Sequence, residues 1–165
     1  MRKVTRTAPA KINLGLDVTG TRPDGYHLLE TVFQAVSIAD TVTVELTDTP
    51  DIALTCDVAG VPCSPKNIAW KAAQRYLDAA GLTDGVQIHI EKRIPMEAGM
   101  GGGSTDGAAV LLALQELTGN ALSMDKLAEI AVSLGADVPF FLYGGTAYAA
   151  GIGEKLEKLP VFSTD

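Results

Sequence analysis

The sequence predicts an α+β domain: a mainly antiparallel sheet with helices packed on one face. Three observations carry this reading. Apolar residues alternate with period two in several separate segments. From residue 67 the spacing turns helical and is bounded by capping residues. The elements then follow the order strands, helix, strand, helix, helix, strand.

The elements can be justified in turn. Ile12, Leu14, Leu16 and Val18 alternate with Asn13, Gly15, Asp17 and Thr19, which predicts a strand with one buried apolar face. Lys11, Asn13 and Gly15 then share the opposite face. Arg22-Pro23-Asp24-Gly25 is a turn signal. Residues 28–36 read as a strand, 41–46 alternate cleanly, and Ile52, Leu54 and Cys56 suggest a further short strand. Asn67 is placed to cap a helix in which Ile68, Ala72, Tyr76 and Ala80 recur and Gly81 is the stop. Val86, Ile88 and Ile90 return to period two in a strand ending at Pro95. Residues 104–118 read as a buried helix, Ser123 caps another that Gly135 closes, and Thr146 to Ala150 forms a last strand.

Composition narrows the function. A chain of 165 residues, 47% apolar, suits one globular domain, and no apolar run approaches the roughly 18 residues of a membrane span. Cys56 and Cys63 form neither a C-x-x-C pair nor a disulfide framework. The start, MRKVTRTAPAK, lacks the apolar region of a signal peptide, so a cytoplasmic protein is expected. The net charge of -7 argues against nucleic acid as a partner. That charge is uneven: residues 1–35 hold Arg2, Lys3, Arg6, Lys11 and Arg22 against only Asp17, Asp24 and Glu30. Such a cationic start either steers an anionic small ligand or is a solvated basic strand.

The glycine cluster is the sharpest chemical signal. Residues 95–109 read PMEAGMGGGSTDGAA, preceded by the strand VQIHIEKRI and followed by an apolar helix. Strand, glycine loop and helix start together make a phosphate cradle: glycines admit an anion to the backbone N–H groups, and the helix start adds unpaired donors. The loop is neither Walker A, because no Lys precedes Ser104-Thr105, nor a dinucleotide G-x-G-x-x-G. Ser104 and Thr105 add hydroxyl donors, and either could ligate Mg²⁺. The alternative is a packing loop, for which consecutive glycines are entropically costly.

Other polar residues say less individually. Asp137, between Gly135 and the run Val138-Pro139-Phe140-Phe141, is a candidate general base or a turn aspartate. Lys11 and Asn13 are a candidate site pair or a surface pair. Tyr26-His27 is a stacking and hydrogen-bonding pair or a turn flank. His89 lies on the strand face away from the apolar residues and receives no role.

Taken together, Pro9-Ala10-Lys11-Ile12-Asn13-Leu14, Pro23-Asp24-Gly25-Tyr26-His27, the loop 95–109 and Leu134-Gly135-Ala136-Asp137-Val138-Pro139 appear in this order. This resembles the GHMP kinase superfamily. Within it the likeness is strongest to the branch acting on a diphosphocytidyl-methylerythritol in non-mevalonate isoprenoid synthesis. The resemblance implies the family's N-terminal fold, shared with the second domain of a small-subunit ribosomal protein. It also implies ATP-dependent phosphorylation of the 2-hydroxyl of the methylerythritol unit, with Mg²⁺. Asp137 would accept the hydroxyl proton beside Lys11, and Asn13 would hold the methylerythritol end. Tyr26 would stack on cytosine and His27 would hydrogen-bond its edge. Pro95, Gly99, Gly101, Gly102, Gly103, Ser104 and Thr105 would surround the ATP phosphates, and Asn67 would lie near adenine.

Several residues depart from the family pattern. Met100 replaces a usual Leu, Thr105 a usual Ser, and Glu97 stands where small residues or glycine are common. Gly107 replaces a usual Ala, at about 1 kcal/mol of helix propensity. The larger departure is the C-terminal lobe that family members carry, which closes the site and walls the cytosine. Residues 1–165 are therefore expected to be an N-terminal ATP-binding domain, lacking that lobe and with little turnover alone. Alternatives are a related kinase for homoserine or mevalonate, or a non-enzymatic binding domain of the same fold.

Overall fold

The computed structural model describes residues 2–160, so Met1 and 161–165 of the expected domain lie outside the described residues. β1 (Arg2–Thr21) and β2 (His27–Thr47) form one long antiparallel hairpin from the register Arg2↔Leu46 to Thr21↔His27. The segments 28–36 and 41–46 are thus halves of one strand. The turn closes as predicted, with the Gly25 N–H donating to the Arg22 carbonyl at 2.9 Å. Register shifts between Pro9 and Lys11, Asn13 and Gly15, and Val18 and Gly20 bend β1 along its length.

β3 (Ile52–Cys56), α1 (Ile68–Ala80) and β4 (Gly85–Glu91) follow, and β3 and β4 pair in parallel, with α1 as the crossover. Then come α2 (Gly102–Leu117), α3 (Met124–Leu134), α4 (Val138–Tyr143), β5 (Thr146–Ala150) and β6 (Lys155–Leu159). The strand order is β3-β4-β2-β5-β6, with β1 on β2. Residues 41–47 of β2 pair with β4 and 31–34 pair with β5. Apart from the β3–β4 pair the sheet is antiparallel, in agreement with the α+β expectation.

The predicted caps form. Asn67 Oδ1 accepts from the Ala69 N–H, Ser123 Oγ accepts from the Lys126 N–H, and Gly81 is left-handed at φ 64°. Val42, Val44, Val86, Ile88 and Ile90 of the sheet meet Ala69, Ala72, Leu111, Leu114 and Leu127 of the helices in the core. α2 is buried on almost every face, as its apolar run from Ala108 to Leu114 requires. Gly107 has a packing reason: a Cβ there would lie 2.6 Å from Ile68 Cγ2. α4 and β6 went unread in the sequence, α4 because it is one short turn with Pro139 in it, and β6 because its residues are mostly charged.

One expectation is overturned. The apolar residues of β1 are not buried: Ile12, Leu14, Leu16 and Val18 are 38%, 53%, 55% and 63% exposed, while Lys11 is 6% exposed. Asn13, Gly15, Asp17 and Thr19 are exposed as well, and the register shift between Asn13 and Gly15 interrupts the alternation, so Leu16 and Val18 pair with Thr31 and Leu29 on the face that Lys11 and Asn13 share.

Gly85 sets a sharp steric limit, because a Cβ there would lie 1.8 Å from the Thr49 carbonyl oxygen and 2.9 Å from that of Asp51. Gly85→Ala is expected to cost about 3 kcal/mol of stability, read from urea unfolding. An unchanged midpoint would contradict this packing.

Candidate functional site

The glycine loop and the starts of α1 and α2 enclose a cleft of about 390 Å³. Its lining includes Asn67, Pro95, Gly99, Gly101, Gly102, Gly103 and Ser104, with Lys92 and Asp106. Gly99 and Gly101 have φ of 70° and 73°. A Cβ on Gly101 would also come within 2.7 Å of Phe141 Cζ, so glycine is required there twice over. Glu97 has φ 57°, a left-handed backbone that suits glycine better, which accounts physically for the small residues common at this position. Its side chain is exposed.

α2 begins at Gly102, so the N–H groups of Gly102, Gly103 and Ser104 have no intrahelical acceptor. They and the positive end of the helix dipole give the cleft its affinity for an anion. Thr105 stands apart: its side chain is buried and its N–H donates to the Gly101 carbonyl at 2.8 Å. Asn67 lines the cleft, but both ends of its amide already serve the fold, Nδ2 donating to the Pro62 carbonyl at 2.9 Å.

A second cluster adjoins the loop. The Lys11 N–H donates to the Met100 carbonyl at 3.0 Å, which joins β1 to the cradle. Lys11 Nζ donates to Asn13 Oδ1 at 2.8 Å, stands 3.7 Å from Asp137 Oδ2, and lies 4.9 Å from the Phe33 ring centroid. Asn13 Nδ2 in turn donates to Thr31 Oγ1 at 2.8 Å. Asp137 is the N-cap residue of α4, but its carboxylate caps nothing and is 34% exposed. A carboxylate beside a buried ammonium, open to solvent and next to an anion cradle, is equipped to take a proton from a hydroxyl.

Tyr26 and His27 lie elsewhere, at the exposed tip of the hairpin. Tyr26 is 60% exposed, and a ring nitrogen of His27 lies 3.2 Å from Thr21 Oγ1. An extended strand from Asn13 to Thr21 spans roughly 26 Å, which the bulges shorten. Contact between this pair and Lys11 or Asn13 is therefore not made directly.

Sequence reasoning missed a buried charge cluster in the cleft floor. Lys92 Nζ donates to Asp40 Oδ2 at 2.5 Å and to Asp106 Oδ2 at 3.0 Å. Asp106 Oδ1 is buried without a partner among the described residues. Burial, opposed by the Lys92 charge, raises the Asp106 carboxyl to about 7. The one available signal was Asp40 itself, an acidic residue inside a strand-forming run.

Comparison with known proteins gives four findings. Residues 67–145 match the family described as GHMP kinases N terminal domain. A protein of Geobacter metallireducens named 4-diphosphocytidyl-2-C-methyl-D-erythritol kinase is 51% identical over 156 residues, which are 94% of this chain and 56% of that protein. The crystal structure of a 4-(cytidine 5'-diphospho)-2C-methyl-D-erythritol kinase superimposes with a TM-score of 0.80 at 48% identity, covering 94% of this chain and 55% of the other. A homoserine kinase structure from Cytophaga hutchinsonii, at 24% identity and a TM-score of 0.74 over 97% of this chain and 52% of the other, shares the fold. This chain thus spans about half the length of the curated relatives it matches.

The Asp106 carboxyl lies above the 3.8 of an unperturbed aspartate, so the folded chain holds a proton there that the unfolded chain has released. Its contribution to stability is present below pH 3.8 and is lost as pH rises toward about 7. Urea unfolding across this range is expected to show a flatter pH dependence for Asp106→Asn than for the wild type. Parallel curves would refute the shift.

Proposed function

This chain carries a GHMP kinases N-terminal domain, and from that premise we propose that it is the ATP-binding lobe of a kinase phosphorylating the 2-hydroxyl of 4-diphosphocytidyl-2-C-methyl-D-erythritol. The observation that carries the reading is Lys11 Nζ at 3.7 Å from Asp137 Oδ2, on the strand whose own backbone holds the glycine loop at Met100. The acceptor hydroxyl and the phosphate to be transferred must meet, and this is where the two clusters adjoin.

In this reading Asp137 takes the proton of the substrate hydroxyl as its oxygen bonds to the γ-phosphorus of ATP and the bond to the leaving ADP breaks. Lys11 offsets the charge that gathers on the transferred group, and Asn13 orients the methylerythritol end. The amides of Gly102, Gly103 and Ser104 hold the phosphates. Positioning and charge stabilisation of this kind supply most of the acceleration in phosphoryl transfer. Among the described residues no three His, Cys, Asp or Glu side chains cluster as a metal cage. A Mg²⁺ bound mainly by phosphates and water, with Ser104 Oγ as the protein ligand, suits that donor set; once bound it neutralises phosphate charge. Tyr26 and His27, at the hairpin tip, are set for the cytidine, separated from the reacting end by the diphosphate.

Residues 1–165 span about half the length of the relatives, and on their own they are expected to turn over poorly. No helix among the described residues is long and apolar enough to cross a membrane.

The discriminating assay offers diphosphocytidyl-methylerythritol, homoserine and mevalonate, each with MgATP, to the protein extended by its second lobe. Phosphorylation of the first alone is expected, and preference for either of the others would displace this reading. Asp137→Asn is expected to lower kcat by about 10²-fold or more with little change in ATP affinity. In the same protein, Tyr26→Ala is expected to weaken CDP binding, measured by calorimetry, while leaving ATP binding intact.

A further inference from the structure

β4 ends at Glu91, and the next N–H groups have left the sheet ladder. Carboxylates take them instead. The Lys92 N–H donates to Asp57 Oδ1 at 2.8 Å, and the N–H groups of Arg93 and Ile94 both donate to Asp40 Oδ1, the latter at 2.8 Å. Asp40 is wholly buried on β2, where it pairs with Ala8 of β1. Its other oxygen holds Lys92 Nζ, which reaches on to Asp106 in the first turns of α2. A Cβ at Gly102 would lie 3.1 Å from Lys92 Nζ and 3.4 Å from Ile94 Cγ2, so the first residue of α2 rests directly on this segment. One carboxylate therefore fixes both the chain entering the glycine loop and the helix start leaving it.

We propose that Asp40, acting through Lys92 and the backbone of Arg93 and Ile94, is a positioning residue that sets the spacing of the glycine loop. The proposal rests on the nucleotide-binding reading above for its consequence, but its geometry does not.

The test uses this chain with Asp40→Asn and Asp40→Glu. Backbone amide shifts of 99–104 are recorded without ligand, and ATP affinity is measured by calorimetry. Leu54→Ala, a buried change in β3, controls for lost stability alone. Both Asp40 variants are expected to move the loop amides where the control does not, and to weaken ATP binding roughly tenfold or more. A pure charge effect predicts the reverse for Asp40→Asn, since removing a negative charge near a polyanion favours binding. Unmoved loop amides, ATP binding by Asp40→Asn as tight as wild type or tighter, or full restoration by Asp40→Glu would each overturn the proposal. If the unaltered chain binds no ATP, the nucleotide reading of this lobe fails, while the amide shifts still decide the positioning role. Should Asp40→Asn not fold, Asp106→Asn, which frees Lys92 from the helix side, is read against the same outcomes.

Discussion

A single backbone hydrogen bond, from the Lys11 N–H to the Met100 carbonyl, ties the edge strand to the glycine loop, and the arrangement of the site depends on it. It brings the side chain of Lys11 toward Asp137 on one side and holds Gly101 against Phe141 on the other. The anion cradle and the ammonium–carboxylate pair thereby share one frame, although Lys11, the loop and Asp137 lie far apart in the chain. The long β2 strand makes this possible. Its two halves carry different neighbours, β4 toward the cradle and β5 toward the Lys11 cluster, so one strand spans both parts of the site.

Polar groups in this fold do two kinds of work. Asn67 and Ser123 close helix starts, and Asn67 does so while lining the cleft. Tyr76 is fully buried yet keeps its hydroxyl satisfied by Gln115 Oε1 at 2.7 Å. Asp137 occupies a capping position without using its side chain to cap. A group spared from a structural task at a place where the backbone would accept one is free to meet a ligand, and this separates Asp137 from Asn67.

Much of the fold was legible locally. The caps at Asn67, Gly81 and Ser123 follow from short-range chemistry, and the alternation in β2, β3 and β4 follows from a half-buried sheet. The glycine cluster could be read because strand, loop and helix lie consecutively. What failed was the burial of β1: alternation over 12–18 predicts one buried face, but this stretch is exposed on both faces and a bulge at Leu14 interrupts it. Lys11 goes in where the strand meets the loop, Phe33 and Asp137, while Leu14 and Leu16 are exposed. Lys92, Asp40 and Asp106 were illegible for a related reason. Their meaning lies in contacts between β2, the exit of β4 and α2, and no local pattern records such a meeting. The grouping of Lys11, Asn13 and Asp137 came from the family resemblance, since nothing in their spacing joins them.

The exposure of Ile12, Leu14, Leu16 and Val18 bears on how this chain behaves as a material. β1 pairs only with β2 among the described residues, so an open strand edge and exposed apolar side chains occur on the same strand. Each alone invites strand-to-strand association, and together they favour it strongly. Mutual repulsion from the net charge of -7 is the main counterweight, and it fades toward the isoelectric point of about 4.7. Colloidal stability of the isolated chain is thus governed by pH and ionic strength more than by its folding free energy, with mildly alkaline, low-salt solution the condition that keeps it dispersed.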